Sequence, residues 1–141
     1  MFTYICLGTN DLERATRFYD AVLAPLGLTR CDTGGEAGWD GWAGWGTYKS
    51  GGTEEIALWL CVPFDGRPAT SGNGTMVALS ARSWRAVEDF HAAALANHGS
   101  SEGAAGLRPH YGADFYAAYV RDPDGNKLAA VCRGYSARPR G

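Results

Sequence analysis

The sequence predicts an α+β fold: one domain made of two copies of a strand–helix–strand–strand–strand unit. Three observations carry this. Two amphipathic helical patterns occur, at 10–27 and 83–99, and their apolar positions coincide when the chain is shifted by 72 residues. The same shift lays three strand-like runs of the first half on three of the second. A Pro- and Gly-rich stretch, "VPFDGRPATSGNG", separates the halves and suits a boundary. The first unit spans 1–62 and the second 74–133 of a 141-residue chain, one domain's length.

The first strand is "FTYICLG" (2–8), which pairs under the shift with "GTMVALS" (74–80). Each stands just ahead of its helix. In "NDLERATRFYDAVLAPLG", Asn10 or Asp11 can cap the helix and Gly27 can end it. Its stripe is Leu12, Ala15, Tyr19, Val22, Leu23 and Leu26. In "SWRAVEDFHAAALANHG", Ser83 is the cap and Gly99 the stop, with Trp84, Val87, His91, Ala94, Leu95 and His98 as the stripe. Leu12 then pairs with Trp84, Ala15 with Val87, Leu23 with Leu95 and, off the stripe, Phe18 with Phe90. The second strand is weakest in both units, near "LTRCD" (28–32) and near 100–110. The third and fourth are "GWGTYKS" (44–50) with "YAAYVRD" (116–122), and "EEIALWL" (54–60) with "NKLAAVC" (126–132). Alternation and their Tyr, Val, Ile and Trp content support strands. "RDPDGNK" is a turn: Pro123 fits position i+1, with Asp122 and Gly125 on the flanks.

Composition sets aside several functions. The chain is 45% hydrophobic and 20% charged, with a net charge of −2, ordinary for a globular protein. It has no basic stripe, so nucleic acid is not an expected partner, and the basic tail Arg133, Arg138 and Arg140 reads as a solvated end. No apolar run approaches the ~20 residues of a membrane span, and "MFTYICLG" does not read as a signal peptide, so a cytoplasmic location is expected. Cys6, Cys31, Cys61 and Cys132 form no C-x-x-C and read as reduced, buried thiols. "DPDGN" lacks the later Gly and closing carboxylate of a calcium loop. "GGTEE" and "SGNG" lack the Lys and setting of a phosphate loop. Glu54 and Glu55 are adjacent, so on a strand they face opposite sides.

With these motifs in place, the chain resembles the vicinal oxygen chelate superfamily, which includes glyoxalase I, extradiol dioxygenases and bleomycin-resistance proteins. "DLERATRFYDAVLAPLG" is similar to that superfamily's first helix, and "RPHYGADFYAAYVRDPDGNKL" to the final strands of its bacterial, lactoylglutathione-lyase-like members. The resemblance covers nearly the whole chain. It implies the glyoxalase/bleomycin-resistance/dioxygenase fold, two βαβββ modules whose sheets curl around a shared groove, and often a homodimer. It also implies a divalent metal held by His and Glu from the first and last strands of each module.

Carried over residue by residue, those ligand positions fall on Tyr4, Met76 and Ala129, and the 72-residue repeat adds Ala57. "GNGTM" stands where the resemblance expects "GNGTH", and "NKLAAV" where it expects "NKIEAV". Alanine offers no donor, a thioether is soft, and a phenol must lose a proton with a pKa near ~10 to ligate. No metal and no cofactor are therefore expected. A two-residue slip of alignment would keep the strand face and bring in Glu55.

If Tyr4 and Met76 face the groove, period two adds Cys6, Ala57, Trp59, Ala78, Ala129 and Val131 to the same lining. His110, beside Tyr111 and near Tyr116, is a candidate functional residue; anchoring its loop is the alternative. His91 reads as a packed or edge histidine, and His98 as a partner for its helix's last carbonyls. Trp39, Trp42 and Trp45 line a pocket mouth, a dimer seam or the core. The favoured expectation is a metal-free protein that binds a small hydrophobic or aromatic molecule through Tyr4, Cys6, Trp59, Met76, His110, Tyr111 and Tyr116. The alternatives are a glyoxalase-like lyase or isomerase, using Tyr4 and His110 (or Tyr111) as acid and base or a non-standard metal site, and an interaction module acting through its dimer surface.

Overall fold

The computed structural model describes residues 1–34 and 38–134. The first half contains β1 (Tyr4–Gly8), α1 (Leu12–Leu23), β2 (Trp42–Lys49) and β3 (Glu54–Cys61). The second contains β4 (Met76–Ser80), α2 (Trp84–Ala96), β5 (Ser100–Leu107), β6 (Tyr116–Arg121) and β7 (Lys127–Cys132). The starts of β1 and β4, and of α1 and α2, lie 72 residues apart, as the repeat requires. The strands form two sheets, ordered β1-β3-β2 and β4-β7-β6-β5. In each, the strand ahead of the helix pairs parallel with the last strand of its half. Antiparallel hairpins complete the sheets.

The weak second strand resolves differently in the two halves. Ser100–Leu107 is a full strand, whereas 28–32 supplies only one bridge, Arg30 to Trp45. Two backbone bonds extend that bridge, from Cys31 N–H to Gly44 O and from Gly46 N–H to Thr29 O. Arg30 is also tied to α1, donating through two nitrogens to the Asp20 carboxylate, which accepts a third bond from the Trp45 indole. The Arg30 hydrogen bond holds the Asp20 carboxyl below its ordinary value.

Both helices start at the capped positions. The Asp11 side chain accepts from Arg14 N–H and the Ser83 side chain from Ala86 N–H, each satisfying a donor the first turn leaves open. Their ends differ. After a single 3-10 turn, Gly27 takes the left-handed conformation (φ 78°). In the second half His98 takes it (φ 70°), one position ahead of Gly99, whose N–H donates to Ala94 O. A Cβ on Gly99 would lie 2.6 Å from the Phe18 ring, so that glycine serves close packing and not the turn.

The core lies between the sheets' inner faces and the two helices, which pack on each other. Phe18 and Phe90, outside the expected stripes, are fully buried at its centre, while Leu95 and His98 are exposed. The reason is that α2 touches α1 and the strands β5, β6 and β7 together, so its buried arc is wider than one stripe and turned toward Phe90.

A polar hub joins the halves. The turn between β6 and β7 meets the end of β1: Asn126 donates to Gly8 O, and Asp124 accepts from the Thr9 hydroxyl at 2.5 Å and from Asn10 N–H. Asp122, 4% exposed, accepts from the Tyr19 hydroxyl at 2.6 Å, from the Asn126 amide and from the backbone N–H groups of 124 and 126. Burial pushes the Tyr19 phenol well above its ordinary value, and the Asp122 charge adds to the effect. Among the described residues no helix is long and apolar enough to cross a membrane. Arg138 and Arg140 of the basic tail lie outside the described residues.

Candidate functional site

Period-two alternation leaves one face of each sheet off the core. On the first sheet this face carries Tyr4 and Cys6 from β1, Trp42, Gly44 and Tyr48 from β2, and Glu55, Ala57 and Trp59 from β3. On the second it carries Met76 and Ala78 from β4, Tyr119 from β6, and Lys127, Ala129 and Val131 from β7. The residues expected to share one lining thus share orientation but not a cavity. Tyr4 and Trp59 line one pocket and Met76, Ala78 and Val131 another, with no lining residue in common. Each sheet closes its inner face on its own helix, so each keeps a separate outer face.

The pocket on the first sheet, about 490 Å³, is walled by Tyr4, Trp39, Trp42, Tyr48 and Trp59, with Glu55 and three glycines. The Trp59 ring lies on Gly44, its cross-strand partner, where any Cβ would come within 2.2 Å of the indole. Trp39 stacks on Trp59 (centroids 4.5 Å apart), and Trp42 and Tyr48 meet Trp39 edge to face. The Trp59 indole N–H donates to Glu55 Oε2 at 2.8 Å, fixing the carboxylate beside the rings. Trp59 is 2% exposed and forms the base, whereas Tyr4 is 51% exposed at the mouth. Trp45 belongs to the core.

The pocket on the second sheet, about 780 Å³, is lined by Met76, Ala78, Tyr111, Phe115, Tyr119, Val131 and neighbours, with Lys127 and Arg133 among them. Here the protein's own cations cover ring faces: Lys127 lies over Tyr119 and Arg133 over Phe115. The tilted ring of His110 lies against Tyr111, 4.0 Å between centroids. Tyr116 turns to the inner face, stacked on Trp84, its hydroxyl donating to Glu88 at 2.6 Å. Cys6 lies 3.3 Å from Cys61, sulfur to sulfur, and burial together with that neighbour pushes its thiol up to about 12, so it stays protonated at neutral pH. Two thiols depart from the buried reading: Cys31 is half-buried, and Cys6 is exposed as a residue although its sulfur is turned against Cys61.

The sequence pointed to Tyr4, Trp39, Trp42 and Trp59, and to Glu55 only through a two-residue slip of alignment, but missed Tyr48. Tyr48 follows from alternation with Trp42, which the strand run beginning at Gly44 had cut off. Glu55 shares its face with Ala57 and Trp59 by alternation, and register moves the ligand position the other way. Tyr4 faces Ala57, but Met76 faces Lys127, so β3 and β7 are offset by 70 residues where β1 and β4 are offset by 72. Backbone bonds agree: Thr9 N–H reaches Cys61 O, while Ala81 N–H reaches Val131 O. The first-half equivalent of Ala129 is therefore Trp59, not Ala57. Tyr4, Trp59, Met76 and Ala129 do not fit a divalent cation, since one phenol and one thioether are their only donors.

Two repeated halves, each a strand, a helix and a hairpin whose last strand pairs parallel with the first, define the class of protein. The chain belongs to the Glyoxalase/Bleomycin resistance protein/Dioxygenase superfamily, whose sequence model matches residues 2–130. It is similar to a glyoxalase/bleomycin resistance protein from Albidiferax ferrireducens T118, at 37% identity over 94% of this chain and 98% of that one, with a TM-score of 0.75. A glyoxalase-related enzyme from Fulvimarina pelagi shares the fold at 21% identity over 100% of this chain and 96% of its own (TM-score 0.65). Glyoxalase I from Zea mays shares it at 21% identity over 92% of this chain and 45% of its own (TM-score 0.61). No curated protein matches the chain.

Proposed function

We propose that this protein binds a small hydrophobic or aromatic molecule, held by shape and ring faces without a metal or cofactor. The aromatic wall of the 490 Å³ pocket carries the reading: five rings from three strands and a loop converge on a cavity of ligand size. Acid–base chemistry by Tyr4 and His110 has less support, because Tyr4 lines one pocket while His110 sits against Tyr111 of the other. The test is calorimetric titration with 2-naphthol in the presence of EDTA. Wild type is expected to bind, and Trp42→Ala to weaken binding about tenfold, the loss of one stacking face. Binding that disappears on chelation overturns the reading.

The partner in assembly is a second copy of the chain. β1 and β4 are both sheet edges, and each leaves large side chains exposed: Phe2 and Tyr4 beside one, Met76 on the other. Edge pairing between copies would join the two pocket types into one groove. Sedimentation velocity is expected to give twice the chain mass at micromolar concentration; a monomer there refutes the dimer.

A further inference from the structure

The small-molecule reading leaves the ligand's charge open, and the chemistry of the first-sheet pocket decides it. We infer that this pocket selects an organic cation, a quaternary or protonated amine carrying an apolar body. The statement rests on the proposed binding function and narrows it.

Two features point the same way. The first is the ring wall. An aromatic face carries negative charge density and attracts a cation above it, and sets of such faces recognise alkylated ammonium groups. Trp39, Trp42, Tyr48 and Tyr4 supply four rings around the cavity, on the Trp59 base. The second is Glu55. It is the acidic residue of the lining, it is partly buried, and no ion pair ties it to a cation among the described residues. Its nearest polar partners are the Trp59 N–H and the Thr3 hydroxyl at 3.5 Å. An unneutralised carboxylate beside the rings attracts an ammonium group that enters the pocket.

The two pockets differ in this respect. On the second sheet Lys127 and Arg133 already lie over Tyr119 and Phe115. On the first, no Lys or Arg of the described residues lies over Trp42 or Trp59. An anion would meet the Glu55 charge there. Among the described residues a bare metal ion would find a single carboxylate, too few donors to replace its water. A weakly hydrated organic cation meets both the rings and the charge.

Phenyltrimethylammonium and tert-butylbenzene have the same shape and differ in charge, so they isolate the claim. Calorimetry on the full chain is expected to show the ammonium binding about tenfold more tightly than its neutral twin. Glu55→Gln keeps an oxygen to accept from Trp59 and removes the charge. It is expected to narrow the preference by weakening the ammonium alone, leaving the share that the rings supply. Equal binding of both probes to wild type, or a preference as large in E55Q as in wild type, overturns the cation assignment and leaves the small-molecule reading standing. Binding of neither probe overturns both.

Discussion

Asp122→Ala is expected to destabilise the fold by about 3–5 kcal/mol, measured by urea denaturation, a loss typical of breaking a buried polar network. The carboxylate takes four hydrogen bonds, from Tyr19, the Asn126 amide and the N–H groups of 124 and 126. Alanine leaves all four donors without their acceptor, and Tyr19 is itself fully buried. The same turn holds Asp124 and Asn126 against Thr9, Asn10 and Gly8, so the damage spreads to the junction between the halves. Asp122→Asn retains one acceptor oxygen and is expected to cost about half as much. The pH dependence has a definite sign. Burial pushes the Asp122 carboxyl above its ordinary value of 3.8, against the opposing pull of its hydrogen bonds. The native state therefore holds this proton more tightly than the unfolded chain does. The resulting contribution is full below the ordinary value and is lost as pH rises through the raised one. Asp122→Asn is expected to remove that downward slope with rising pH; a slope equal to wild type would refute the assignment.

Gly44→Ala is expected to dismantle the aromatic pocket through one methyl group. The backbone at Gly44 is not left-handed, so the effect is purely steric. The added Cβ would sit 2.2 to 2.7 Å from three atoms of the Trp59 indole. Trp59 must leave the sheet, losing its bond to Glu55 and its stack with Trp39. Overpacking of this kind costs about 1–3 kcal/mol. Affinity for aromatic probes is expected to fall by at least about tenfold, because the base on which Trp39 rests has moved. The double variant Gly44→Ala/Trp59→Ala separates collision from loss. Its destabilisation is expected to be smaller than the sum of the two single effects, since the clash disappears with the ring. Strict additivity would show that the two residues do not collide. The neighbouring Gly46 is constrained differently: at φ 119° a side chain would be strained and would meet Ile56 O at 2.4 Å.

Much of this was legible in the chain. The 72-residue repeat located both helix starts and both leading strands, because α-helical and strand periods are local properties of the residue order. The helix stripes were less well read. Phe18 and Phe90 lay off the marked positions, yet they fill the centre, because a helix touching a helix and a sheet at once buries a broader arc than a single periodic row. Gly99 matches Gly27 in sequence, but a 3-10 turn prolongs α1 and none follows α2, so the left-handed position falls one residue earlier, on His98. Trp39, Trp42 and Trp45 looked alike in sequence. Strand alternation places Trp45 in the core and Trp42 outside it, and Trp39, in the preceding loop, joins Trp42.

The residue order alone determined that the chain repeats, which side chains share a sheet face, and that the expected metal-ligand positions carry Tyr, Met and Ala. Those features follow from short-range periodicity and from the chemistry of single side chains. Tertiary structure alone decided the register of β3 against β1, and with it the exchange of Ala57 for Trp59. It also decided that Tyr4 and Met76 line different cavities within one chain. Registers and cavities depend on which strands meet and on how the two helices fill the space between sheets, and those contacts join residues too distant in sequence for any local period to report.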